Sequence, residues 1–240
     1  MNYWQALQRD VRDRAGTPIV TWISGQNRIE LSGTSFNNAI CKAGNFLVDE
    51  LEAAQSSLVR IELGSHWQSA VWNSAAIAAG LNLTDAAEPP YVFVTGGVPS
   101  ANSDMSTIVR ISSHPLGVPD SQVADGEVNG SLAVRSQPDQ FFAVEQAPYT
   151  FSSTQIDGDS SFLTFADLQE QSREIVSELA ALPGQRVALI GQGSHLERCL
   201  WHSVIPVEGA LSIVLLDQDQ SLEIDESIIR QERIDHVVVL

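Results

Sequence analysis

The chain holds almost no lysine. Lys42 is the single one, and the other twelve basic residues are arginines. Lysine is the compact point charge on phosphate and the amine that titrates when buried, so chemistry of that kind has one place to reside. Cysteine is nearly as scarce. Cys41 and Cys199 lie among apolar neighbours on expected helices, outside any metal-ligand spacing. Both read as small core residues rather than a disulfide or a nucleophile. No run is long and apolar enough to span a bilayer. Residues 1–16 carry Arg9, Asp10, Arg12, Asp13 and Arg14 and no apolar signal core, so the expected address is the cytosol. Positive charge is short overall: 13 basic against 30 acidic residues, a net charge of -17. Such a surface repels phosphate backbones and anionic lipids, which argues against nucleic-acid and membrane partners. No metal or cofactor site is readable either.

What is present is ordinary globular material: 240 residues, 43% of them hydrophobic. That suits one large domain or two small ones. Residues 4–16 read as an amphipathic helix, 18–23 and 28–31 as a hairpin around Gly25. Phe36, Ile40, Ala43, Leu47 and Leu51 recur at helical spacing. Residues 58–63 alternate like a strand, a helix follows from His66 to Ala79, and strands are expected at 91–95 and 107–112. Residues 113–140 hold Pro115, Gly117, Pro119, Gly126, Gly130 and Pro138 and read as a long connection. After Phe162 the pattern restarts: a helix from Phe165 to Leu182, a strand at 186–190, a helix from His195 to Glu208, then strands at 211–216 and 236–240.

The two halves match. Gly64-Ser65-His66, Trp72, Ser74 and Gly80 recur as Gly193-Ser194-His195, Trp201, Ser203 and Gly209, at one constant offset. Upstream, Ser32 and Thr164 are plausible N-caps of corresponding helices. Each half reads helix, strand, helix, strand, a crossover that favours parallel pairing. The expected fold is α/β, with two related subdomains at 1–140 and 141–240, each a mainly parallel sheet flanked by helices. Each Gly-Ser-His sits at the carboxyl edge of a strand, where open α/β folds bind ligands and free N–H groups attract anions. Ser65, His66, Ser194 and His195 are therefore the ligand-binding candidates. The simpler alternative is that the serines cap helices and the histidines fill the core. Trp72 and Trp201 read as core.

These elements resemble the N-terminal domain of the adenylate-forming superfamily: acyl-CoA synthetases, luciferases and peptide-synthetase adenylation domains. Residues 31–81 look like its first subdomain. Residues 163–240 look like its second, with 185–189 as its strand, 208–215 as its glycine turn and following strand, and 233–239 as the strand before the acyl pocket. Trp67-Gln68 and Ser113-His114-Pro115-Leu116-Gly117 further resemble a small actinobacterial group of chains of this length. The resemblance implies that His195 stands at the acyl side of the pocket. It also implies a phosphate-holding loop just before the second subdomain, rich in Ser, Thr and Gly and ending in Pro-Lys-Gly. The matching place is Tyr149 to Asp159. Thr150, Ser152, Ser153 and Thr154 keep the hydroxyls, but the loop glycines and the lysine are missing, while Asp157 and Asp159 add negative charge. One like-charge pair about 4 Å apart costs on the order of 4 kcal/mol at an effective dielectric near 20. The family's later glutamate, its ribose-binding aspartate and its mobile domain with the catalytic lysine would lie beyond residue 240. Lys42 belongs to the first helix of the first subdomain and cannot replace that lysine.

The resulting expectation is a degenerate adenylate-forming-like protein that does not activate carboxylates with ATP and has no assigned catalytic residue. Its partner would be a small acyl- or nucleotide-like ligand, a protein, or a second copy. One alternative is an acyl-CoA synthetase-like enzyme of altered chemistry, drawing on His66, His114, His195, His202 and Asp217. Another is an enzyme completed by a second chain, joined along the apolar strand at 237–240. A dinucleotide fold ranks low, because Gly191-Gln192-Gly193 follows a strand without the third glycine.

Overall fold

The computed structural model describes residues 2–86, 88–98, 105–121, 123–142, 150–154, 160–217 and 224–240, with 150–154 and 160–162 as backbone alone. The chain opens with helix α1 (Tyr3–Asp13), strands β1 (Pro18–Ser24) and β2 (Asn27–Ser32), and helix α2 (Gly33–Asn45), which runs on as a π-helical turn, Phe46–Glu50. Then follow β3 (Leu58–Glu62), α3 (Trp67–Ala78), β4 (Asn82–Leu83), β5 (Val92–Thr95), β6 (Thr107–Arg110), β7 (Val128–Asn129) and α4 (Gly130–Ala133). The second half comprises the hairpin β8 (Thr150–Thr154) and β9 (Ser160–Thr164), helix α5 (Phe165–Glu178) and strand β10 (Arg186–Ile190). Next come α6 (His195–Cys199), a π-helical stretch Leu200–Val204, α7 (Ile205–Glu208), β11 (Ser212–Leu216), α8 (Glu226–Glu232) and β12 (His236–Val239).

Two five-stranded sheets result, in the orders β4-β3-β5-β6-β7 and β12-β10-β11-β1-β2. Every pairing in the first is parallel, and in the second only β1 with β2 is antiparallel. The α/β class and the two mainly parallel sheets agree with the sequence reading. The sheets, however, do not divide at residue 140. The hairpin at 18–32 joins the sheet of the second half, because β1 pairs with β11 in parallel register, Val20 opposite Ile213.

Helix α3 explains how the sheets share one interior. Its residues from Gln68 to Ala78 are all buried, and it rests on β1 of one sheet and on β3 and β4 of the other. A helix buried on every side lies inside the protein, with its polar Ser69, Asn73 and Ser74 hydrogen-bonded there. The stretch 200–204 packs against α3, so the segments carrying the repeated Trp and Ser residues face each other between the sheets. The Tyr3 hydroxyl stands where they meet, 2.8 Å from Ser74 Oγ and 3.4 Å from the Ser203 carbonyl oxygen, touching both members of the repeated serine pair. Trp72, Trp201, Cys41 and Cys199 are buried, and neither cysteine takes part in a disulfide. The outer face of the second sheet buries Ala188, Ile190, Val214 and Leu216 beneath Ile224, Ile228 and Ile234.

The structure revises one expectation and adds two elements. Residues 113–140 are not structureless throughout, since β7 and α4 lie within them and β7 extends a sheet. The helix α8 lacks a long apolar stripe and did not stand out in the sequence. The stretch read as a phosphate loop begins with a strand: β8 pairs antiparallel with β9, Ser152 opposite Phe162. Pairing commits alternate backbone groups of Thr150–Thr154 to a neighbouring strand. Tyr149 and residues 155–159, including Asp157 and Asp159, lie outside the described residues. No helix among the described residues is long and apolar enough to cross a membrane.

Candidate functional site

The carboxyl ends of β3, β5, β6, β10 and β11 converge on one cleft of about 160 Å³. Leu63, Gly64, Ser65 and His66 supply one wall, Gly96 and Ile111 to Ser113 another, and Gln192 and Asp217 the side contributed by the second sheet. Parallel strands of both sheets thus aim their ends at a common point, the arrangement in which open α/β folds place ligands.

Here the Gly64-Ser65-His66 turn meets Gly191 and Gln192, just before the second Gly-Ser-His. Ser65 Oγ donates to the Gly191 carbonyl oxygen at 2.5 Å. Gly64 has a φ of 55°, and a Cβ built there would lie 2.8 Å from Gln192 Oε1. A glycine is therefore needed both for the left-handed conformation and for the close approach.

His66, rather than Ser65, is the N-cap of α3: its Nδ1 accepts from the Gln68 backbone N–H at 3.3 Å. That bond places the proton of the neutral ring on Nε2. The ring lies edge-on to Trp22, with centroids 4.6 Å apart, and beside Trp67. Burial lowers its pKa to about 4, so it is a neutral donor at ordinary pH. His66 Nε2 and Trp22 Nε1 are buried N–H groups without a hydrogen-bond partner among the described residues. Such donors are rare in native proteins and call for an acceptor.

The second turn is used differently. Ser194 caps α6 in a reciprocal box: its hydroxyl accepts from Glu197 N, and Glu197 Oε2 accepts from Ser194 N at 2.7 Å. His195 does not line the cleft. It is half-buried, and this burial lowers its pKa to about 4, assisted by the cations Arg198 and Arg60. Of the four candidates, the structure brings Ser65 and His66 to the cleft and leaves Ser194 and His195 outside its lining.

The wider acid–base set divides in the same way. Asp217 lines the cleft with His66. His202 is buried between the facing helices, with Nδ1 2.9 Å from Ser69 Oγ. His114 accepts from Leu116 N in an exposed turn. Ser112 and Gln192 were not singled out beforehand. Gln192 had a signal in the Gly-x-Gly after a strand, while Ser112 had none. Among the described residues, no three His, Cys, Asp or Glu side chains are grouped to hold a metal ion.

No family model matches the chain. A Mycobacterium tuberculosis (strain ATCC 25618 / H37Rv) protein, whose name gives a family number and no activity, is 32% identical over 124 residues, covering 47% of this chain and 50% of that protein. Solved structures are similar over nearly the whole chain. Brucella canis acyl-CoA synthetase has a TM-score of 0.77 at 12% identity, covering 98% of this chain and 47% of that one. Acetoacetyl-CoA synthetase from Streptomyces lividans has 0.74 at 14%, covering 100% and 42%. The N-terminal domain of FACL13 from Mycobacterium tuberculosis has 0.72 at 11%, covering 98% and 61%. The chain therefore has the fold of the N-terminal domain of adenylate-forming enzymes. It spans about half the length of the curated relative it matches.

Proposed function

We propose that this chain is an adenylate-forming-like binding protein whose cleft takes a small, uncharged acyl- or nucleoside-like ligand rather than ATP. The observation that carries the reading is the electrostatics of the cleft. Its described lining holds no lysine or arginine, one carboxylate at Asp217, and a His66 kept neutral by burial. A triphosphate needs cations or a nest of free N–H groups. It would instead meet a carboxylate, in a chain of net charge -17. A neutral ligand with a carbonyl or ring-nitrogen acceptor would satisfy the His66 Nε2–H. The sequence supports this reading through the missing lysine and glycines of the phosphate loop.

Calorimetry tests it with magnesium-ATP, adenosine and a short acyl amide in parallel. Binding of adenosine or the amide that is lost in His66→Phe supports the reading. Micromolar binding of magnesium-ATP overturns it.

A second reading, assembly with another chain, has its own support. Strand β12 is an edge of its sheet, and Val237 and Val239 are 41% and 55% exposed on it. Exposed apolar edge strands are templates for pairing. Sedimentation over a range of concentrations distinguishes self-pairing from a monomer. Val237→Lys should abolish any association made along this strand.

A further inference from the structure

A second cavity of about 160 Å³ lies between α2 and α3, and none of its lining residues is shared with the cleft at the sheet edges. Its walls are mostly apolar, with Ala43, Val71, Trp67 and Trp72 among them. Two cations also line it: Lys42, the chain's only lysine, and Arg135. In a protein with 30 acidic residues against 13 basic ones, an apolar cavity flanked by two cations favours a negatively charged ligand, with Asp139 as the carboxylate it would displace from Lys42.

The walls are held in place before any ligand arrives. Trp67 Nε1 donates to the Pro115 carbonyl oxygen at 2.9 Å. Its ring lies against Gly117, where an added Cβ would be 3.3 Å from Trp67 Cζ2 and 3.2 Å from Gln68 Nε2. The cations are held loosely. Lys42 Nζ is 3.1 Å from Asp139, whose side chain is 57% exposed. Arg135 Nη2 reaches the Gly117 carbonyl oxygen only at 3.4 Å. Exposed pairs of this kind contribute little, so a carboxylate can take them over.

We propose that this cavity binds a small monocarboxylate with an aromatic body. The body would lie between the tryptophans and Val71, and the carboxylate would face Lys42 and Arg135. A dry cavity of roughly 150 Å³ accommodates benzene, so benzoate is the probe of matching size.

The single lysine makes the test direct. Reductive 13C-methylation labels only Lys42 and the N-terminal amine, and the Trp67 indole resonance reports the wall. Benzoate should shift both resonances saturably, with a dissociation constant at or below about 1 mM. Benzamide, of the same shape without the charge, should bind at least about 10-fold more weakly. Lys42→Met with Arg135→Met, followed through the indole, should lose a similar factor. Ala39→Leu, which fills the cavity and favours the helix, should abolish binding with the fold retained. Absence of a saturable shift overturns the proposal. So does equal binding of benzamide, or benzoate binding that persists in Ala39→Leu.

Discussion

Ser65 and Gly191, 126 residues apart in the chain, are joined by a hydrogen bond from the serine hydroxyl to the glycine carbonyl oxygen. The bond ties the end of one sheet to the end of the other at the floor of the cleft. Ser65 is buried and Gly191 is half-buried. Ser65→Ala should cost about 1 kcal/mol in urea denaturation, the ordinary worth of one such bond. It should also shift the Gly191 carbonyl resonance. An unchanged carbonyl shift would show that the two turns are not joined through this bond.

Three histidines make stability depend on pH. Burial lowers His66 and His195 to about 4 and His202 to about 3, against an ordinary value of 6.5. Between 6.5 and about 4 the unfolded chain binds protons that the folded chain refuses. Their contribution is present above the unfolded value and is lost as pH falls. Each adds at most about 1.4 kcal/mol of slope per pH unit inside that window. Asp10, raised by burial, acts in the opposite direction at the acid end. Denaturation midpoints measured from pH 7 to pH 5 should fall steadily, and more shallowly in His202→Leu once its own stability loss is subtracted. A flat profile would mean that these rings are charged or exposed in the folded state.

Glu232 is 3% exposed and joins two arginines: Arg28 at 2.7 Å and Arg186 at 3.0 Å. The bonds from Arg28 hold its carboxyl below the usual range. The cluster links β2, β10 and α8, so it fastens the early hairpin to the later sheet. Glu232→Ala should cost about 2 kcal/mol, because it removes the buried partner of Arg186, while Arg28, 39% exposed, keeps Glu30. Glu232→Gln should cost less, since it keeps an acceptor for one guanidinium. Hydrogen exchange should report the loss first in β2 and α8. A uniform loss across both sheets would argue against this local role.

Regular elements with strong local patterns were legible from residues alone. The alternation at 58–62, the apolar run at 186–190 and the helical spacing from Phe36 announced themselves, because side-chain period follows backbone geometry. The Thr-Phe-Ser-Ser-Thr strand at 150–154 did not, since it lacks apolar alternation. Helix α8 was also unread: Ile228 and Ile229 are its only large apolar residues, too few for a periodic stripe. In the candidate site, Ser65 and His66 were visible through the repeat, while the capping role fell to His66 in one turn and Ser194 in the other. Identical tripeptides were thus put to different uses by different neighbours.

The strongly patterned helices and strands, the near absence of lysine and the doubled Gly-Ser-His were determined by the sequence itself, since each is a local or compositional property. Only the tertiary structure decided that Val20 pairs with Ile213, that Ser65 reaches Gly191, and that Asp217 shares a cleft with His66. Parallel pairing between distant strands depends on which buried surfaces meet, and no local preference along the chain encodes that choice.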